Sequence, residues 1–231
     1  MNPILVPEKH ADENARQYAY RVLYDAIMTL EFPPGMQLVD AELSQTLHIS
    51  RTPIREAIVS LKESKLVEVH PQKSSSVSRI DLDAVEEGVF LRLHIERAIL
   101  HEAIKKADGA SITLLHHNLE QQHEALENDR PDRFMELDNA FHKLLYLAVN
   151  KPWTWSVVTR IVTHQDRVRR LQLRLGTERL RISYAEHRKM LDAIMAQNHT
   201  GIDELLYEHM TAGYRAALPE LIERYPEYFS L

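Results

Sequence analysis

"HISRTPIREAIVSL", residues 48 to 61, sets a proline and two arginines at the front of an otherwise amphipathic helical pattern. Ser50 is a natural N-cap, and Pro53 is tolerated just inside because first-turn amides have no partner within the helix. Ile54, Ile58 and Leu61 then recur at helical spacing and predict the apolar side. Working backwards, "DAELSQTL" carries Leu43 and Leu47 four apart with Asp40 as candidate N-cap, and "HIS" breaks the pattern before it resumes. Further back, Tyr20, Leu23, Ile27 and Leu30 predict a helix over 13 to 30 that stops at "EFPPG". Working forwards, "LVEVHPQKSSSVSRI" alternates through Val67 and Val69, turns between Pro71 and Ser75, and returns through Val77. Helix, helix, helix, hairpin is the order of a winged helix-turn-helix.

In that motif the N-terminal end of the second helix of the pair enters the DNA major groove. Arginine there can make two hydrogen bonds to guanine, and threonine can reach a phosphate or a base edge. Ser50, Arg51, Thr52 and Arg55 are therefore the expected DNA contacts, with Lys73 at the tip of the wing. Bulk charge does not help: the chain carries a net charge of −6, and residues 1 to 80 hold nine Lys/Arg against ten Asp/Glu. The DNA-binding reading rests on where a few basic side chains sit.

The run "PPGMQLVDAELSQTLHISRTPIREAIVSLKESKLVEVHPQKSSSV" resembles the N-terminal domain of GntR-family transcription regulators, over about residues 15 to 79. The remainder resembles the C-terminal, FCD-type ligand-binding domain of the FadR branch. Two positions depart from the pattern: Lys65 stands where a glycine is usual before Leu66-Val67, and Ser74 stands where the wing usually turns on glycine.

From about residue 81 the pattern is helical throughout, with breaks at "DGAS", "NDRP", "NKP", "GT" and "NHTG". These predict helices near 82 to 107, 111 to 128, 131 to 149, 152 to 175, 178 to 197 and 200 to 223. The expected fold is thus mainly α: a winged helix-turn-helix over 1–79 and an all-α six-helix bundle over 80–231, for effector binding and dimerisation. With 44% hydrophobic and 27% charged residues the composition is that of a soluble globular chain. No stretch is apolar for long enough to span a membrane, and "MNPILVPEKH" lacks the features of a signal peptide, so a cytoplasmic protein is expected. The absence of cysteine excludes disulfides, zinc–thiolate sites and thiol nucleophiles, so a metal would need imidazole and carboxylate.

"ELDNAFHKLLYL" places Asp138 and His142 four apart, on one helix face. In the pair of helices that turns near Asn198, His187 lies 11 residues before the turn and His209 lies 11 after it. In an antiparallel hairpin such residues stand at the same height. Together the four make a candidate site for zinc, nickel, iron or manganese, zinc and nickel foremost. The resemblance implies the same set, since one large group of FadR-branch domains holds a divalent metal with Asp-x-x-x-His and two later histidines. His164 competes, being about level with Asp138 across the hairpin that turns at Lys151. His94, His101, His116, His117 and His123 read as solvated or satisfied polar residues.

An imidazole and carboxylate shell leaves positions that a small anion could complete. The resemblance puts an arginine matching Arg92 near the effector cavity, where it could grip a carboxylate with two parallel hydrogen bonds. An ion pair with Glu96, one helical turn on, is the competing role. Arg167 and Arg170 are further candidates. The expected protein is a regulator, most simply a repressor, that binds a palindromic operator as a homodimer and responds to a small carboxylate, a sugar acid by resemblance. A metal sensor is the alternative. A metal-dependent hydrolase is the weaker one, because no second carboxylate stands as general base.

Overall fold

The structure, a computed structural model, describes residues 6–69 and 75–230. It divides into two compact units: one comprises the chain up to Val85 with residues 163–171 and the chain from Glu220 onward, the other Glu86–Val162 with Gln172–Pro219.

The first unit opens with α1 (Ala15–Met28), started by a capping box in which Asn14 and Gln17 satisfy each other's backbone amides. A two-residue strand β1 (Gln37–Leu38) leads into α2 (Asp40–Leu47). Val39 takes the N-cap and Asp40 the first helical position, so the helix starts one residue earlier than the spacing predicts, and the Asp40 charge still suits the positive helix end. His48 at φ 53 turns the chain in the left-handed region, so that α3 (Arg51–Glu63) can leave at an angle. Leu23, Ile27, Leu43, Ile54, Leu61 and Leu66 are fully buried in one cluster of this unit, each worth about 1.5–3 kcal/mol of transfer free energy. The hairpin strands β2 (Val67–Val69) and β3 (Ser75–Val77) pair antiparallel with Val67 opposite Val77. β1 adds to the other edge of β3, giving the sheet order β1-β3-β2. Residues 70–74, with Lys73 and Ser74, lie outside the described residues. A parallel pair, β4 (Ile80–Asp81) with β5 (Phe229–Ser230), completes the strands of this unit.

The helices that follow are α4 (Leu82–Lys106), α5 (Gly109–Glu127), α6 (Pro131–Ala148), α7 (Pro152–Ile161), α8 (Thr163–Gln172), α9 (Glu178–Met195) and α10 (Ile202–Arg224). Pro131 and Pro152 open their helices, where a missing amide hydrogen costs nothing. The core of the second unit gathers Leu100, Leu115, Phe141, Leu145, Tyr146, Met190 and Leu206. The stretch 152 to 175, expected as one helix, is two helices divided at Val162, followed by a 3₁₀ turn. The cause lies in what each half buries. α7 buries Val158, whereas α8 buries Thr163, His164, Gln165 and Arg167 beside Val168 and Leu171. The α8 polar groups find partners on the first unit's backbone: the Thr163 hydroxyl donates to Ser64 O, and Arg167 donates to Ser78 O at 2.7 Å.

Candidate metal centre

Asp138 and His142 lie one turn apart on α6, His187 on α9 and His209 on α10, and one ligand atom from each lies within 4.8 Å of all the others. Asp138, His142 and His187 are buried, and His209 is nearly so. The apolar neighbours fix the rings, with Phe141 stacked on His187 at 4.4 Å between centroids.

Each imidazole is held from behind. His142 Nδ1 lies 2.6 Å from Glu96 Oε2. His187 Nδ1 lies 3.0 Å from Gln122 Oε1, and His209 Nδ1 lies 2.8 Å from Glu186 Oε2. The proton positions follow from the partners. Leu137 O can only accept, so Asn118 donates its amide to it at 3.1 Å. Asn118 Oδ1 then accepts from Gln122 Nε2 at 2.7 Å, which turns Gln122 Oε1 towards His187 and makes His187 Nδ1 the donor. The two glutamates act likewise because both are ionised. Burial opposes the charge on Glu96, but Arg92 and then His142 outweigh it and bring the carboxyl down to about 2. Burial also opposes the charge on Glu186, yet the His209 hydrogen bond and Arg179 carry its carboxyl below the usual range. Burial pushes the His209 imidazole below its ordinary value by more than Glu186 raises it, which favours the neutral ring.

With every Nδ1 held outwards, the Nε2 atoms face the centre beside the Asp138 carboxylate. His142 Nε2 and His209 Nε2 stand 3.2 Å apart, and His187 Nε2 lies 3.6 Å from Asp138 Oδ1. A proton can join this pair as a hydrogen bond, and in neutral rings one metal ion can take its place between the two Nε2 lone pairs. Zinc–imidazole bonds of about 2.0–2.1 Å put two ligand nitrogens about 2.9–3.4 Å apart at angles from square to tetrahedral, so the spacing suits one ion. Carboxylate and carbonyl acceptors behind metal-bound histidines are the usual supporting arrangement. The residues present therefore fit a divalent transition metal.

The other candidates fall elsewhere. Arg92 is buried with its Nε 2.5 Å from Glu96 Oε1, which places it behind His142 through the shared carboxylate. His164 does not join the four. It sits in the first unit, where its Nδ1 accepts from the Asp81 amide at 2.9 Å and its Nε2 donates to Lys65 O at 3.1 Å. Arg167 belongs to that unit too, fully buried and donating to the Ser78 carbonyl and hydroxyl, and Arg170 lies on the same helix. On the proposed DNA face, Ser50 occupies the N-cap of α3 without a side-chain capping bond, and Arg51, Thr52 and Arg55 are exposed. Arg55 Nε rests 2.6 Å from Asp40 Oδ2.

Glu96, Gln122 and Glu186 are the supporting residues that the spacing argument misses. Asn118 and Gln122 did leave a trace, as amides on the same buried stripe of α5 as Leu115, Leu119 and Ala125. Glu186 left none beyond adjacency to His187.

Residues 15–77 match the bacterial regulatory proteins of the gntR family, and residues 87–212 match the FCD domain. The chain is 35% identical over 153 residues to the HTH-type transcriptional repressor RspR of Escherichia coli strain K12, covering 66% of this chain and 67% of that one. It is 34% identical over 179 residues to an HTH-type transcriptional regulator in an unstable DNA locus of Streptomyces ambofaciens, covering 78% of this chain and 75% of that one. Among solved structures its fold is similar to that of E. coli McbR/YncC, with a TM-score of 0.76 at 19% identity over 92% of this chain and 99% of that one. No helix among the described residues is long and apolar enough to cross a membrane. This chain belongs to the GntR family of bacterial regulatory proteins, as a DNA-binding transcription regulator with an FCD domain and not an enzyme.

Proposed function

We propose that this regulator is a repressor whose operator binding responds to a small carboxylate taken up at a divalent metal held by Asp138, His142, His187 and His209. The domain division at about residue 80 separates the reader, with Ser50, Arg51, Thr52, Arg55 and Lys73 towards DNA, from the sensor. Two copies of the chain bind a palindromic operator. The observation that carries the reading is the convergence of three imidazole Nε2 atoms on one carboxylate, with each Nδ1 proton directed to an acceptor behind it.

A metal in this position supplies positive charge for a carboxylate ligand. Arg92 holds the Glu96 carboxylate, which in turn holds His142, so a ligand that drew the guanidinium towards itself would loosen that ring. Arg167 and Arg170 belong to the first unit. Repression is the sign suggested by the relative named as a repressor, and sugar acids are the first effector class to test.

The test is a thermal-shift screen of metal-loaded protein against organic acids, coupled to elemental analysis, since a ligand of the folded state raises the melting temperature. An effector should shift the parent and not His187→Ala, which should also lose its metal yet still bind operator DNA where it is folded. Full metal occupancy in His187→Ala would overturn the ligand set. The burial of the cluster and the engagement of Arg92 by Glu96 favour a second reading, a regulator for which the metal itself is the signal. Metal that leaves on dialysis, taking operator affinity with it while no acid shifts the melt, would select that reading.

A further inference from the structure

His101 and His199 form a second imidazole pair, separate from the buried four. His101 stands near the end of α4, and His199 in the turn between α9 and α10. Their Nδ1 atoms lie 2.7 Å apart, and the rings are nearly coplanar, 19° apart with centroids 5.0 Å from each other, so the nitrogens meet edge to edge. On its far side His101 Nε2 lies 2.8 Å from Asp203 Oδ1. A carboxylate only accepts, so that nitrogen carries a proton, and in the neutral ring His101 Nδ1 accepts from His199 Nδ1, whose proton a metal ion would replace. Asp203 is itself held by Arg97, which is also under the charge of Glu204. Two carboxylates against one guanidinium leave the corner acidic, and His199 is exposed.

We propose that His101 Nδ1 and His199 Nδ1 form a second, exchangeable site for a borderline divalent transition metal of the zinc, nickel and copper class, with water completing its shell. The pattern of carboxylate, histidine and lone pair is the one that orients metal-bound imidazoles generally. Two nitrogens on one zinc need about 2.9–3.4 Å between them, given bonds of about 2.0–2.1 Å. The pair therefore opens by a few tenths of an ångström to admit an ion, and a side chain on an exposed turn can move that far. An ion here staples α4 to the hairpin that carries His187 and His209, without touching either. The site stands or falls independently of the buried centre.

The test is equilibrium dialysis of the full chain against zinc chloride, with metal counted by elemental analysis and native mass spectrometry. The parent should hold one more zinc per chain than either His199→Ala or His101→Ala. His116→Ala, which removes an exposed histidine of α5, should match the parent. Asp203→Asn keeps an acceptor for His101 but removes its charge, and should weaken the extra zinc ten- to a hundred-fold. His187→Ala should lose the buried zinc and keep this one. Equal counts in the parent and His199→Ala overturn the proposal, leaving the pair a hydrogen bond alone. In that case a zinc lost only in His187→Ala leaves the buried centre standing.

Discussion

Gln122 Oε1 accepts from His187 Nδ1 at 3.0 Å, and the orientation of that amide is dictated from outside the site, by the Leu137 carbonyl through Asn118. One backbone oxygen thus sets which nitrogen of a histidine on another helix faces the centre. Gln122→Leu removes the acceptor and should weaken metal binding about ten- to a hundred-fold. Gln122→Glu keeps the acceptor for His187 but loses the donor to Asn118 Oδ1, so it should hold metal better than the leucine variant while melting below the parent. Competition with a chelator of known affinity measures both, and a leucine variant indistinguishable from the parent would show that the amide has no part in holding the metal.

Arg55 meets Asp40 at the start of α3, with two-thirds of its side chain exposed. If Arg55 reads a base, it must exchange this carboxylate for DNA. Arg55→Ala should cost about 1–3 kcal/mol at the operator and relax preference at one position of each half-site, with little effect on random DNA. Asp40→Asn, which removes the competitor, should tighten both. Binding curves on operator and scrambled duplexes at matched salt decide it, since equal losses for Arg55→Ala on the two would make the arginine a phosphate contact.

The reader head is legible in the sequence because its signals are local: a serine and a proline at a helix start, apolar positions every three or four residues, an alternating hairpin. The four clustered residues are legible for a related reason, since one helical turn joins Asp138 to His142 and equal distance from a turn joins His187 to His209. What is not legible depends on partners far along the chain. β1 is only two residues long and exists through its pairing with β3. The break at Val162 carries no glycine or proline, and α8 ends up with histidine, glutamine and arginine buried because backbone groups at Ser64, Lys65 and Ser78 receive them or their neighbours. Glu96 is readable as Arg92's partner, but the second oxygen that meets His142 belongs to the tertiary fold.

His164 gives the first unit a pH dependence of known sign. Burial, and next the Arg167 charge, push its imidazole down to about 4 from 6.5. The folded state therefore binds a proton less readily than the unfolded chain. Stability from this group is complete above about pH 6.5 and falls as pH drops, by about 1.4 kcal/mol per pH unit between the two values. His164→Gln has no proton to gain, so its stability should fall less than the parent's from pH 7 to pH 5. Denaturant unfolding at both values tests this, and parallel losses in parent and variant would be the contrary result.

Lys65 occupies the left-handed region at φ 56, and the reason glycine is usual at this place is visible in the bonds around it. The Leu66 amide donates to Leu61 O and the Lys65 amide to Lys62 O, both at 3.0 Å, which is the Schellman ending of a helix. That ending needs one residue at positive φ, costing a side-chain-bearing residue about 1–2 kcal/mol, whereas glycine pays about 0.5–1 kcal/mol in unfolded-chain entropy. Lys65 is exposed, so removing its side chain sacrifices little packing, and its carbonyl stays in place for His164. Lys65→Gly should therefore stabilise the protein by about 0.5–1 kcal/mol, a rise of roughly 1–4 °C in Tm for a chain of this size. Lys65→Ala loses the same charge but keeps a Cβ, so its Tm should stay at the parent value. Calorimetry on the three proteins separates backbone strain from charge: a glycine variant that melts no higher than the alanine one would mean that the turn holds no strain to release.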